Sequence, residues 1–440
     1  MASLLENYKN RLSIAESVYS KSHNGASLDN ARKILTAQCL RNVDKYMTEA
    51  FQNSVGTQRA DMGQYKRFCM NLTNVAVPNL IAPELVLTKP MTSMTGYIAY
   101  IKYTAGSTKG NTTRGKVFND PFRLGDVDVD YTSARVTETA KVEDVNGDLT
   151  IKLMWFPVYN GTDAASKVRF TDPGVTVDEA KSDFNKGVIV VTGTTAGTEL
   201  KVGYVYDNTY IPANDLPILN AEMDGMSLTA KARRIAIFYS QLADYQAKTD
   251  YDFNLGDQLS QKAVAQLQYE IDTEVTQLLI DNAAEDAELT WSKTLPVGVS
   301  KREHYEGFAE TVEIGKQKIY DRTRRFAPNY ILVASNILPI LSFINDFTAA
   351  PTSSVNGPYF AGTLHGIRVF VTPNIAPGKF VLGVNGDDLM SSAAVFAPYM
   401  AVIPTQLLGM ADGSMSQGFS TMYDLKILNK DLLVAGKIVD

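Results

Sequence analysis

A chain of 440 residues, 45% hydrophobic and 20% charged, is long enough to bury one large core or two to three ordinary ones, and its composition is globular rather than disordered or fibrous. Its 42 Lys and Arg against 48 Asp and Glu leave a net charge of −6, the opposite of the basic excess that dedicated nucleic-acid binders carry. Charged side chains interrupt Met1 to Ser20 every few positions, so no secretory signal is expected, and no later stretch reaches membrane-spanning length.

From Leu5 the residues Tyr8, Leu12, Ala15 and Tyr19 recur at helical steps, and after a break at Ser22 to Gly25 a second face runs through Leu35, Cys39, Val43, Met47 and Phe51, with Ser27 as its expected N-cap. Both stripes need a partner surface, so residues 1–70 are expected to form a helical arm that packs on the rest of the chain or on a neighbour. Pro78, Pro83 and Pro90 exclude one continuous helix between Asn71 and Tyr103 and favour short strands and turns. The alternation of Tyr97, Ala99, Ile101 and Tyr103 predicts a strand running into the polar stretch Gly106 to Gly115, one side of a long hairpin with an exposed tip. Residues 126–212 are β-rich, with an Asn146-Gly147 hairpin turn and strands around Val188 to Val191 and Leu200 to Tyr206. A long helix is predicted from Asn254 as cap, with Leu259, Ala263, Leu267, Ile271, Val275 and Leu278 on one face, spanning ~45 Å at the helical rise. The last third alternates a helix carrying Tyr305, Phe308, Val312 and Ile319 with strands at Tyr330 to Ala334, Ile367 to Val371, Lys379 to Val384 and Val395 to Ile403, with a loop at Ser353 to Gly357. The fold class expected is therefore α+β.

No convergent set of reactive groups stands out. His23, His304 and His365 lie far apart and outside any zinc-ligand spacing, and Cys39 and Cys69 are too few for a disulfide scaffold and are not at metal-ligand spacing, which suits synthesis in a reducing cytoplasm. Gly106-Ser107-Thr108-Lys109-Gly110 lacks the phosphate-loop spacing and is expected to be a solvated turn. Asp126, Asp128 and Asp130 open like a calcium loop, but Tyr131 and Thr137 stand where that loop requires Gly and Glu, so an edge strand with Val127 and Val129 inward is the better reading. Lys316, Lys318, Arg322, Arg324 and Arg325 end a predicted helix, where cations complement the dipole; contact with DNA is the less favoured reading. Asn71-Leu72-Thr73 and Asn160-Gly161-Thr162 match a glycosylation pattern that has no meaning without secretion. No catalytic, cofactor-binding or metal-ligating residue and no cofactor is assigned, and the chain is expected not to be an enzyme.

The order of segments is more informative. Pro78-Asn79-Leu80-Ile81-Ala82, Lys89-Pro90-Met91 and Thr95-Gly96 come first, then Leu228 to Arg233, Gln241-Leu242-Ala243-Asp244 and the helix from Asp257 to Glu274. Asn329 to Ser335, Phe360-Ala361-Gly362, Phe396 to Ala401 and Gly418-Phe419 follow. In this order, over about two thirds of the chain, the sequence resembles the T-even-like major capsid proteins of tailed bacteriophages, members of the HK97-fold group. The region before Pro78 and residues 126–212 depart from that pattern. Leu4-Leu5-Glu6 and Ile14-Ala15-Glu16 look like sites for phage processing proteases but also fit a helix stripe, and an uncleaved arm is expected.

The resemblance implies an HK97-type capsid fold with an inserted all-β domain: an N-terminal helical arm at 1–70, a peripheral domain with a long spine helix at 71–95, 226–300 and 396–440, an extended loop at 96–125 and 213–225, the inserted domain at 126–212, and an axial domain at 301–395. It implies a subunit that associates with itself into hexamers and pentamers enclosing the phage genome in an icosahedral or prolate head. Portal, scaffold and other head proteins are the implied partners, with weak non-specific contact to packaged double-stranded DNA and no membrane. The implied location is the virion, after synthesis in the host bacterial cytoplasm. Leu5 to Phe51 and Tyr97 to Phe122 are expected to be the principal inter-subunit segments. The alternatives from other classes are an encapsulin-like compartment shell, an enzyme with a dispersed site of Asp and Glu with His304, and a β-rich tail or adhesion protein.

Overall fold

The computed structural model describes residues 2–22, 25–52, 59–110, 112–119, 131–159, 167–207, 209, 216–350 and 357–439. Helices and strands are interleaved in an α+β chain that divides into two compact units: one of residues 1–98 and 225–440, the other of residues 99–224.

The first unit begins with helices α1 (Ala2–Asn7), α2 (Lys9–Ser22), α3 (Asn30–Gln52) and α4 (Arg59–Ala76), followed by the single turn α5 (Ala82–Leu85). The expected first helix is thus interrupted at Tyr8, and α3 starts after Asp29, whose carboxylate accepts the Asn30 N–H, rather than after Ser27. A five-stranded sheet runs in the order Leu87–Thr88, Ala394–Pro404, Ser414–Ile427, Lys231–Ser240, with Leu408–Gly409 also paired to Ser414–Ile427. On one face lies the long helix α7 (Leu255–Asn282), which follows α6 (Gln241–Tyr251). Asn254 caps α7 by accepting the Asp257 N–H, as its position predicts. Ala263, Val264 and Leu267 of α7 pack with Phe419, Ile235 and Ile237 of the sheet. Side chains alternate along a strand, so Met422, three residues beyond Phe419, faces the other way. There it meets Val43 and Met47 of α3, together with Cys69, Met400 and Ile403.

Of the two surfaces expected for the arm, the rest of the chain is the one that takes the α3 stripe. The apolar stripe of α3 has a core at home: Leu35, Cys39, Val43 and Met47 are all buried in the unit's own sheet and α4 neighbours. The reason is polar as well as apolar. The strand ladder skips Tyr399 between the registered pairs of Pro398 and Met400, and the buried Asn42 amide donates to the stranded Tyr399 carbonyl at 2.6 Å and to Met91 O at 2.7 Å.

The same unit holds a seven-stranded sheet in the order Ala284–Ser292, Leu433–Val439, Lys379–Gly383, Tyr330–Ala334, Ile367–Thr372, Tyr359–Leu364, Phe347–Ala349. Its central strand Tyr330–Ala334 is buried at every position, which is why that stretch is apolar without alternation. Helix α8 (Lys301–Thr323) opens with a capping box of Ser300 and Glu303 and sets Phe308 edge-on to Phe380 at 5.4 Å.

The second unit is all β. One sheet runs Glu143–Val145, Asp148–Lys152, Val188–Thr192, Thr176–Asp183, and another Arg135–Lys141, Glu199–Tyr206, Val158–Tyr159, with Arg169–Phe170 on Glu199–Tyr206. Ile151 and Ile189 from the first sheet share a closed core with Val136, Val202 and Tyr204 from the second. The Asn146-Gly147 turn has both residues at positive φ, 57° and 87°, the two-residue hairpin geometry that this dipeptide favours.

Candidate assembly surface

The strand Thr95–Ala105 lies between Leu219–Thr229 and Val117–Asn119. Within the second unit Lys102 reaches from it to Glu222 (3.4 Å) and Asp224 (3.3 Å), and these two carboxylates raise the lysine pKa. One face of the paired strands is therefore a charged face. Alternation sends Ile101, Tyr103 and Met223 to the other face, and among the described residues nothing covers them: they are 45%, 38% and 78% exposed. Leu219 is exposed too, as is Tyr97 in the first unit. The strand forms where alternation predicts it, but its apolar face is the solvent face. Each such side chain gains ~1.5–3 kcal/mol when a partner buries it fully, so the ribbon carries an uncompensated driving force for association. Phe122, the far end of the segment expected to contact neighbours, lies outside the described residues.

The Gly106 to Gly110 stretch is neither a phosphate loop nor the solvated turn expected. Lys109 is buried, its ammonium donating to Tyr131 O at 2.9 Å and to Ser133 O, and it sits 5.1 Å from the centroid of the Tyr206 ring. A long aliphatic stem and two carbonyl acceptors make that burial tolerable. Ser107 is tied in the same way, to the Tyr131 hydroxyl at 2.9 Å.

The remaining groups singled out in the sequence stay apart. His304 stacks on Trp291 at 4.8 Å with Nε2 2.9 Å from Ser292 O. His365 occupies a tight turn at φ 48°, with Glu313 and Asp346 each 3.5 Å from a ring nitrogen. His23, the Asp126, Asp128 and Asp130 series with Val127 and Val129, Asn160-Gly161-Thr162, and residues 353–356 lie outside the described residues. In the basic run Lys316 pairs with Glu313 at 2.5 Å, Lys318 with Glu288 at 2.6 Å and Arg322 with Asp286 at 3.3 Å, while Arg324 is the left-handed cap of α8. Asn71 accepts from Arg11 at 2.9 Å. Cys39 is a core thiol whose burial pushes its pKa up to about 12, which leaves no thiolate at neutral pH.

Two features escaped the sequence. The end of the five-stranded sheet exposes Phe238 and Leu408, which flank Ser416 in register, next to Leu242 and Tyr245 of α6. Alternation along Ile235, Ile237 and Tyr239 against Ala236 and Phe238 was the available signal, masked by the basic Lys231 to Arg234 start. On the α3 side of the sheet an open groove of about 670 Å³ is floored by small residues, among them Ala236, Gly418 and Ser420. Small residues give no apolar periodicity, so the groove has no sequence signature.

Comparison with known proteins adds the following. The model of the family described as Major capsid protein Gp23 matches residues 62–435. The major capsid protein of Escherichia phage AR1 is 23% identical over 399 residues, 81% of this chain and 74% of that protein. That of Enterobacteria phage T6 is 23% identical over 404 residues, 81% of this chain and 77% of its own length. A solved chain from Microbacterium phage Oxtober96 superposes with a TM-score of 0.42 at 10% identity, covering 82% of this chain and 90% of that one.

Proposed function

The chain belongs to the Gp23 family of phage major capsid proteins, and from that premise we propose how its surfaces build a shell. It is a structural subunit that associates with copies of itself. The observation that carries the rest is the uncovered apolar face of Ile101, Tyr103 and Met223 on a ribbon whose other face is charged. Such a face is stabilised only by a partner, and in a shell the available partner is the next copy. Heterologous contacts of this kind close into rings, here hexamers and pentamers that tile an icosahedral or prolate head.

In that reading the domains follow the HK97-type plan: arm 1–70, peripheral domain 71–95 with 226–300 and 396–440, extended loop 96–125 and 213–225, inserted β domain 126–212, axial domain 301–395. The role of the arm changes from reach to anchorage, because α3 already has a core within its own unit. The near balance of charge, −6 overall, suits weak non-specific contact with packaged DNA in the virion. Portal, scaffold and other head proteins would meet the shell after synthesis in the bacterial cytoplasm. A purely structural role without catalysis is part of the same proposal.

Negative-stain microscopy of the purified full chain tests it. Closed shells or six-membered rings are the expected result. Monomers at every concentration, with the ribbon face still exposed, would overturn it, and shells that enclose a protein cargo in place of a genome would favour the encapsulin-like alternative.

A further inference from the structure

Residues 78–85 form a junction in the first unit that is held by charge from several elements. Helix α5 has no side-chain cap of its own. Its opening N–H groups, those of Ile81 and Ala82, are instead accepted at 3.1 Å each by Oδ1 of Asp272, a buried carboxyl on α7. Arg32 of α3 donates to Pro78 O at 2.6 Å and pairs with Glu84, while its guanidinium lies 5.1 Å from the Tyr19 ring centroid of α2. Arg368 from the seven-stranded sheet donates to Glu84 O at 3.2 Å, and Asn385 donates to the same carbonyl at 3.0 Å. The charged groups facing Asp272 are thus Arg32, Glu84 and, through Glu84, Arg368.

The electrostatics of this junction are unequal. Glu84 keeps partial access to water and has two arginines beside it. Asp272 has little of either: it is 4% exposed, and its compensation is two N–H groups and a more distant Arg32, set against the loss of most of its hydration. We propose that Asp272 is a proton-gated latch, which while protonated keeps residues 78–85, with the Arg32 end of α3 bound to them, closed on α7, and whose ionisation favours opening of that edge of the unit. This inference is independent of the capsid reading, since it concerns one unit of one chain.

The direction follows from linkage. Burial raises the carboxyl to about 7 in the closed state, against 3.8 where water reaches it. Stability from this group is therefore full below the lower value and is lost as pH rises through the higher one. The opening constant should grow ~50-fold from pH 5 to pH 7 and only about twofold more from pH 7 to pH 9.

Hydrogen exchange of the full chain between pH 5 and pH 9, corrected for the intrinsic exchange rate, tests the latch. Peptides covering 78–85 should lose ~50-fold protection by pH 7 and then level off, while Tyr330 to Ala334 should not follow. Asp272→Asn, whose amide oxygen can still accept the two N–H groups, should flatten the profile. A flat wild-type profile, a slope that persists in the variant, or a slope shared by Tyr330 to Ala334 would overturn the proposal. If the variant does not fold, the wild-type curve decides by itself through the presence or absence of its break near pH 7.

Discussion

Replacing Asn42 by leucine is the sharpest test of how α3 is held. The buried amide donates to Met91 O (2.7 Å) and Tyr399 O (2.6 Å) and accepts from Gln38 at 3.0 Å. Leucine keeps the branching of the side chain, is larger, and removes all three bonds. Each buried group left unpaired costs about 1–3 kcal/mol, and the added apolar burial returns part of that, so a net loss of about 3 kcal/mol is expected. The chain has two tryptophans, Trp155 in the second unit and Trp291 in the first. In a Trp155→Phe background, urea unfolding followed at Trp291 therefore reports on the unit that contains Asn42. With a slope of ~3 kcal/mol per molar urea, the midpoint should fall by about 1 M. Lys45→Ala, at an exposed position on the same helix, should stay within ~0.5 kcal/mol of the parent. Equal, negligible shifts for both variants would mean that α3 is draped on the sheet and is not part of its core.

A Cβ on Gly436 would stand 2.3 Å from Phe380 Cζ and 2.7 Å from the Leu289 carbonyl, so Gly436→Ala should destabilise the first unit by about 1–3 kcal/mol, read as a lower Trp291 midpoint. Gly147→Val meets no neighbour within 4 Å but must hold φ 87°, so it should cost ~1–2 kcal/mol through backbone strain alone, read at Trp155 in a Trp291→Phe background. The double variant Ile101→Asp with Met223→Asp should leave both unfolding midpoints within ~0.5 kcal/mol and abolish shells under negative stain; normal shells from it would exclude the ribbon face as an assembly contact.

What the sequence disclosed follows from how each signal arises. The long helix is written twice, in a cap at Asn254 and in one apolar stripe, and it ends at Asn282, about one turn past that stripe, with Leu279 in place of Leu278 at the buried end. Local chemistry likewise announced the Asn146-Gly147 turn and the fully buried Tyr330 to Ala334 strand. The strands Lys231–Ser240 and Ser414–Ile427 were not visible, because the basic start of one and the small residues of the other mask their alternation, and each gains its order from the other across ten registered pairs. Lys109 was misjudged for a related reason: a polar tripeptide between glycines reads as solvated until the carbonyls of Tyr131 and Ser133, more than twenty residues away, are known to receive its ammonium. Candidate chemistry was legible mainly as an absence of grouping, whereas the Asp272 junction depends on contacts spanning 190 residues and has no local mark.

Apolar stripes in this chain therefore have two different fates, and periodicity cannot separate them. The stripe on α3 and the alternation on the ribbon strand look alike in sequence, each an ordinary amphipathic pattern. The difference lies in what stands opposite. Beside α3 the sheet offers Met400, Ile403 and a carbonyl at Tyr399 that needs a donor, so the helix is fixed by a polar bond as well as by area. Opposite Ile101 and Tyr103 the described residues supply nothing, while Lys102 and its two carboxylates make the other face a charged one. On the proposed reading, a subunit built this way keeps its longest stripes covered and still presents a directed apolar face for another copy to bury. The charged cluster matters to that balance: replacing Lys102, Glu222 and Asp224 together by methionine would make both faces apolar, remove the preference for one orientation, and turn ordered assembly toward aggregation. Light scattering should then rise for the variant under conditions where the parent gives only uniform shells, and identical uniform shells from both would show that orientation is set elsewhere.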